Sequence, residues 1–207
     1  GQTEPVIISD GGGGAIIGWE DGRVQVGTDV YAQRLNGEGI PLWSFNGVPL
    51  CLAAGFQARL EMVTDGAGGA IAMWVDGRTG LGAADLYTQR MDAAGASAWQ
   101  PDGVAVCTAE GVRIDMSAVP DGAGGAIGVW SDRRNGTDYD LYAARVKANG
   151  WVVSGVAGTP SLEAMALTPN VPNPFGATTA VDVILARESS ISIDVFDVSG
   201  RRVRHFG

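Results

Sequence analysis

An all-β fold, built from small sheets repeated along the chain, is what this sequence predicts, and three observations carry that prediction. Glycine supplies 32 of the 207 residues, roughly twice its usual share, without the every-third spacing of a collagen. All six tryptophans fall at two positions of a repeat close to 55 residues long. Between turn residues the apolar runs are short, of strand rather than helix length.

The repeat is legible residue by residue. Asp10-Gly-Gly-Gly-Gly-Ala-Ile-Ile-Gly-Trp19 aligns with Asp65-Gly-Ala-Gly-Gly-Ala-Ile-Ala-Met-Trp74 and with Asp121-Gly-Ala-Gly-Gly-Ala-Ile-Gly-Val-Trp130. Asp21 and Arg23 then match Asp76 and Arg78, and Asp132 and Arg134. Asp29-Val-Tyr-Ala-Gln-Arg34, Asp85-Leu-Tyr-Thr-Gln-Arg90 and Asp140-Leu-Tyr-Ala-Ala-Arg145 follow, and Trp43, Trp99 and Trp151 close each copy. The third copy loses the pattern after Trp151, where the Asn46-Gly and Asp102-Gly turns have no counterpart. Three units over 8–62, 63–118 and 119–157 result, forming a repeat region over 1–158.

Each unit reads as four short strands. Gly14 to Trp19 is apolar on both alternating faces, so both faces are expected to be covered, as in stacked sheets. Val30 to Leu35 alternates more clearly, Asn36-Gly-Glu-Gly39 and Asp92-Ala-Ala-Gly95 read as hairpin turns, and further strands fit 47–51 and 58–63. Gly13 and Gly14 suit a strand that starts where backbones crowd, which predicts that this strand is innermost. The pattern D-G-x-G-G-A-I-x-x-W-x-D-x-R followed by D-(I/L)-Y-A-Q-R resembles bacterial secreted repeats of the β-propeller type, over about residues 8 to 155. The resemblance implies propeller-blade-like four-stranded sheets. Propellers close with at least four blades, so three make an open, incomplete propeller with exposed faces and edges, and further blades are expected before Gly1.

At Gly158-Thr-Pro-Ser-Leu the composition shifts, and residues 159–207 form a linker and a second domain. Val181, Val183 and Leu185 mark one alternating strand, Ile191, Ile193 and Val195 a second, and Arg201 to Arg204 a third beyond the Asp197-Val-Ser-Gly200 turn. The pair Asn173-Pro-Phe-Gly-Ala-Thr-Thr179 and Asp197-Val-Ser-Gly-Arg-Arg-Val203 resembles the C-terminal sorting domain of type IX secretion cargo, and is similar to the Ig-like domain of flagellar hook-capping proteins. Gly176-Ala177 stands where those families commonly carry asparagine-proline. The resemblance implies a partial β-sandwich, with Asn173, Pro174, Phe175, Asp197, Gly200 and Arg201 as the sorting motif and the outer-membrane secretion machinery as partner. It also implies a route through the periplasm to a secreted or cell-surface location. Family members continue for several strands beyond this hairpin.

Charge narrows the partners. The formal net charge is -9, which repels a phosphate backbone, so nucleic acid is not expected. No apolar run reaches the ~18 residues of a membrane span. A leader peptide is expected to have been removed or to lie ahead of this segment. Cys51 and Cys107, at equivalent positions, read as buried small apolar residues rather than a disulfide or metal pair.

The acid and arginine groups of the repeat invite a catalytic reading, but catalysis needs a group once, whereas these recur in every unit. Trp19, Trp74, Trp130, Asp21, Asp76, Asp132, Arg23, Arg78 and Arg134 therefore read as the residues that hold each repeat together. Function should lie where repeats differ. The most polar variable loop, around Asn135-Gly-Thr-Asp-Tyr139, nominates Arg133, Asn135 and Asp138 as ligand contacts. Calcium-loop spacing is absent, so no metal is expected. Neither a cofactor motif nor a nucleophile with its base is visible, and the single histidine, His205, lies far from the repeats. The chain reads as a secreted or surface binding module with a glycan or protein ligand. The alternatives are the ancillary part of an extracellular glycan-active hydrolase, or a structural spacer.

Overall fold

The computed structural model describes residues 1–23, 27–80, 84–156, 166–167, 183–184, 193–196 and 202–206. The chain divides into two units, Gly1–Thr159 and Pro160–Gly207. Among the described residues there is no helix. The first unit holds three four-stranded antiparallel sheets in chain order, none closed into a barrel. Sheet one comprises β1 (Gln2–Ser9), β2 (Ala15–Asp21), β3 (Asp29–Leu35) and β4 (Val48–Cys51). Sheet two comprises β5 (Gln57–Thr64), β6 (Ala70–Asp76), β7 (Asp85–Met91) and β8 (Val104–Cys107). Sheet three comprises β9 (Arg113–Pro120), β10 (Ala126–Asp132), β11 (Asp140–Val146) and β12 (Val152–Val156). These are the expected propeller-like blades, each a simple meander.

The sequence identities become identities of register. Trp19 pairs Tyr31, Trp74 pairs Tyr87 and Trp130 pairs Tyr142. The turn ahead of the second strand is built by its aspartate: Asp65 Oδ1 accepts hydrogen bonds from the Ala67 and Gly69 N–H groups, both at 2.8 Å. Asp10 and Asp121 do the same. These are Asx-type turns, in which a short carboxylate takes the place of backbone acceptors.

Two expectations are corrected. The glycine-led strand is second in its sheet, and the structural unit begins one strand ahead of it, so residues 57–64 open sheet two instead of closing sheet one. The glycine is required by its own sheet: a β-carbon on Gly14, Gly69 or Gly125 would lie 2.1, 2.1 or 2.2 Å from the carbonyl oxygen of Leu35, Met91 or Val146. Crowding comes from the end of the third strand, not from an axis. The strands nearest the neighbouring sheets are instead β1, β5 and β9.

Each sheet has a face carrying its Trp-x-Asp tryptophan and a face carrying the isoleucine of Gly-Gly-Ala-Ile. Ile16, Val30 and Leu50 of sheet one pack on Leu60, Met62, Ala72 and Trp74 of sheet two. Met73, Val75 and Leu86 of sheet two pack on Met116, Trp130 and Ala144 of sheet three. Isoleucine face meets tryptophan face each time. Among the strands whose burial is described, β6 alone is buried throughout. β10 alternates, with Ile127 and Val129 exposed, so the predicted cover on both faces is present for the central sheet alone.

Cys51 and Cys107 are free thiols. In the second unit, β13 (Ala166–Leu167) pairs antiparallel with β14 (Val183–Ile184), and β15 (Ile193–Phe196) with β16 (Arg202–Phe206). β14, β15 and β16 fall on the strands expected at Val183, at Ile193 and Val195, and at Arg202, whereas β13 was not expected. The sorting-motif residues Asn173, Pro174, Phe175, Asp197, Gly200 and Arg201 lie outside the described residues.

Candidate functional site

Three clusters hold the chemistry of the first unit. The first is the repeated Trp-x-Asp-x-Arg element. Asp76 is fully buried and accepts from Trp74 Nε1 at 2.8 Å and from Arg78 N, Nε and Nη2 at 2.9, 2.8 and 2.7 Å. Arg78 then lies 3.7 Å over the Tyr87 ring. Trp130, Asp132, Arg134 and Tyr142 repeat this arrangement, and Trp19, Asp21, Arg23 and Tyr31 do so at the end sheet. Burial alone would raise the Asp76 and Asp132 carboxyls, but the arginine and indole hydrogen bonds outweigh it and hold both below the ordinary range. The donors to Asp76 are Trp74 and Arg78 of its own repeat and the Cys51 thiol of the preceding sheet, 3.7 Å away. Arg78 also reaches Cys51 Sγ of the preceding sheet at 3.2 Å, and burial pushes that thiol up to about 12, away from reactivity. The element is a strand-end clamp.

The second cluster is the variable loop. Arg133, Asn135 and Asp138 do come together there, all exposed. Asn135 Oδ1 accepts the Thr137 and Asp138 N–H groups, its Nδ2 donates to Asp140 at 3.1 Å, and Arg133 Nε donates to Thr137 O at 3.1 Å. Asn135 thus spends its side-chain groups within the loop, and Arg133 engages its Nε there. No group of three or more metal-ligating side chains occurs among the described residues.

The third cluster escaped the sequence reading. Strands β1 and β5 slip register against their partners between Thr3 and Val6 and between Ala58 and Glu61, and β9 does so opposite Val129–Ser131. At these bulges Glu4, Arg59 and Asp115 take φ values of 49°, 55° and 51°, the left-handed region that side chains with a β-carbon enter at a cost. All three are exposed. Together with Pro5, Val6, Leu60, Glu61 and Met116 they line a groove of about 290 Å³ along the first strands. Glu20 Oε1 of sheet one accepts the Arg59 N–H at 2.7 Å and so braces the middle bulge. Burial raises the Glu61 carboxyl. A signal existed: each bulge residue lies six positions before the aspartate of its glycine turn (Glu4 and Asp10, Arg59 and Asp65, Asp115 and Asp121). The charge alternates along this series while the backbone repeats.

No protein-family model matches this chain. No curated protein matches it either.

Proposed function

We propose that the chain is a ligand-binding module of a secreted or cell-surface protein, and that the inner groove of Glu4, Arg59, Glu61 and Asp115 is where the ligand sits. The observation that carries this reading is the triple bulge. One strained backbone conformation is kept in three sheets, yet the side chain it presents changes from acid to base to acid. Shared structure with unshared chemistry is the signature of a site on a repeat scaffold. Carboxylates accept and a guanidinium donates, a set that pairs with the hydroxyls of a sugar, and Leu60 and Met116 supply an apolar floor. The volume stands at the small end of ligand pockets, room for a short segment of a glycan.

Export by an outer-membrane sorting route, through the periplasm to the outside or the cell surface, is part of the proposal. Its support is the Asn173-Pro-Phe and Asp197-x-x-Gly-Arg pair together with the repeat resemblance. The test of binding is a glycan array, with a peptide array beside it, probed with the wild-type chain, Arg59→Ala and Glu61→Gln. Selective glycan binding, weakened at least about tenfold by Arg59→Ala (roughly 1.4 kcal/mol), is expected. Binding that survives both substitutions, or is lost only on changing Arg133 or Asn135, would place the site in the variable loop instead. Fractionation of the full-length protein with its leader intact tests export, and a cytoplasmic pool would end that part.

A second reading has one observation in its favour: three carboxylates, Glu4, Glu61 and Asp115, share a groove, and that of Glu61 is raised by burial. Glycan hydrolysis uses such a carboxylate as its acid. Turnover of a bound glycan that Glu61→Gln abolishes would support it, and tight binding without turnover would exclude it.

A further inference from the structure

The seam between sheets is made twice with the same parts. Arg34 Nη1 and Trp43 Nε1 of the first repeat donate to Ala93 O of the second at 3.0 and 3.1 Å. Arg90 Nη1 and Trp99 Nε1 of the second donate to Ala148 O of the third at 3.3 and 3.1 Å. Beneath each donor pair the indole lies on a hairpin glycine. A β-carbon on Gly95 would lie 2.7 Å from Trp43, and one on Gly150 would lie 3.0 Å from Trp99.

Both halves of this seam recur at the ends of the unit, and apolar residues described there are exposed. On sheet three Arg145 and Trp151 occupy the donor positions. On the same face Ile127, Val129, Leu141 and Val119 are 41, 37, 56 and 56 % exposed, where Ile71, Met73, Leu86 and Val63 in sheet two are 1, 1, 0 and 6 % exposed. On sheet one the acceptor hairpin is Gly37 with Gly39, and nothing lies within 4 Å of a β-carbon built on Gly39. Ile7 there is 69 % exposed, and its counterpart Met62 is 6 %.

We propose that this chain docks head to tail on a second copy of itself, the isoleucine face of sheet three against the tryptophan face of sheet one. The occupant follows from the parts. The exposed donor half fits the acceptor half that the same chain exposes, and the contact would continue an interface already made twice within the unit. Such a contact is heterologous, so two copies can close on each other through two like seams, and a pitch that does not close leads to longer assemblies. The apolar side chains at stake are of the kind whose burial drives association.

The test is sedimentation equilibrium of the 207-residue chain over the micromolar range, with two variants. A β-carbon on Gly39 has nothing within 4 Å, and aspartate tolerates the left-handed backbone there, so Gly39→Asp fits the free chain, but its side chain would block an incoming indole. Val129→Lys charges the opposite half at an exposed site. Far-UV circular dichroism and urea midpoints establish that each variant is folded. Wild type is expected to reach at least twice the chain mass, and each variant alone to stay at the chain mass. An equimolar mixture should recover a species of twice the mass, because Gly39→Asp keeps a good donor half and Val129→Lys a good acceptor half. Wild type at the chain mass throughout would overturn the proposal. So would assembly that resists both substitutions, or a mixture that does not recover.

Discussion

Asp76→Asn in the central repeat separates a structural clamp from a catalytic acid, and its size can be worked from the geometry. The carboxylate accepts four hydrogen bonds from nitrogen donors, three of them from Arg78, and a longer one from the Cys51 thiol, and is fully buried. Asparagine keeps one acceptor oxygen and turns an N–H group toward the donors. At least two charge-assisted bonds are lost, each worth about 1.5–3 kcal/mol, and a guanidinium whose side chain is 21 % exposed is left without its counter-charge. The expected cost is about 3–5 kcal/mol at pH 7. The equivalent Asp21→Asn should cost about half as much or less, because Arg23 at the open end is 36 % exposed and water can take over. The assay is urea unfolding followed by tryptophan fluorescence, with the m-value checked for constancy. Asp76 is held below its ordinary value of 3.8 in the folded state, so its contribution is fully present above that pH and fades as pH falls through the folded value. The difference between wild type and Asp76→Asn should therefore shrink on acidification. A cost under about 1 kcal/mol, or equal costs at positions 21 and 76, would refute the clamp.

Three further outcomes are expected. Gly69→Ala, whose β-carbon would sit 2.1 Å from Met91 O, should destabilise by about 3 kcal/mol or more, since a backbone carbonyl cannot step aside as a side chain can. Gly66→Ala, at φ +75° in open space, should cost only about 1 kcal/mol of backbone strain, and urea midpoints decide the order. Gln57→Arg should add stability at pH 7. Arg113, at the same place in sheet three, places its charge 3.3 Å from Asp132 and 4.0 Å from Asp85. It donates from Nη1 to Ala84 O at 2.7 Å, although its Nε makes no hydrogen bond. Among the described residues, Asp29 Oδ2 and Gln57 Oε1 have neither a hydrogen-bond partner nor a counter-charge of this kind. Burial, then Asp21, raises the Asp29 carboxyl, so wild type loses stability as pH climbs through the folded value, and the arginine variant should lose less. Stability profiles from pH 4 to 8 that run parallel would count against this. Arg59→Asn should gain up to about 1 kcal/mol, because asparagine tolerates the left-handed backbone, while losing glycan binding. A variant that binds as wild type does would remove Arg59 from the site.

Much of this fold follows from local patterns in the chain. Asp65 with its glycines specifies a turn within five residues, Trp74, Asp76 and Arg78 specify a clamp within five more, and the spacing of the six tryptophans sets three equal sheets. Each rests on contacts short in sequence, so the same letters give the same structure three times. Two things depended on the tertiary structure. The phase of the blade, with β5 opening sheet two, is set by which strand lies beside the neighbouring sheet, and β5 carries no motif residues to announce it. The groove exists because Glu4, Arg59 and Asp115 meet, although more than fifty residues separate each from the next. Stacking joins them, and a pattern searched for sameness passes over three positions whose value to a ligand lies in being different. Burial was likewise decided by place: Ile71 and Ile127 occupy the same position in their repeats, but only the first has a neighbouring sheet on its isoleucine face.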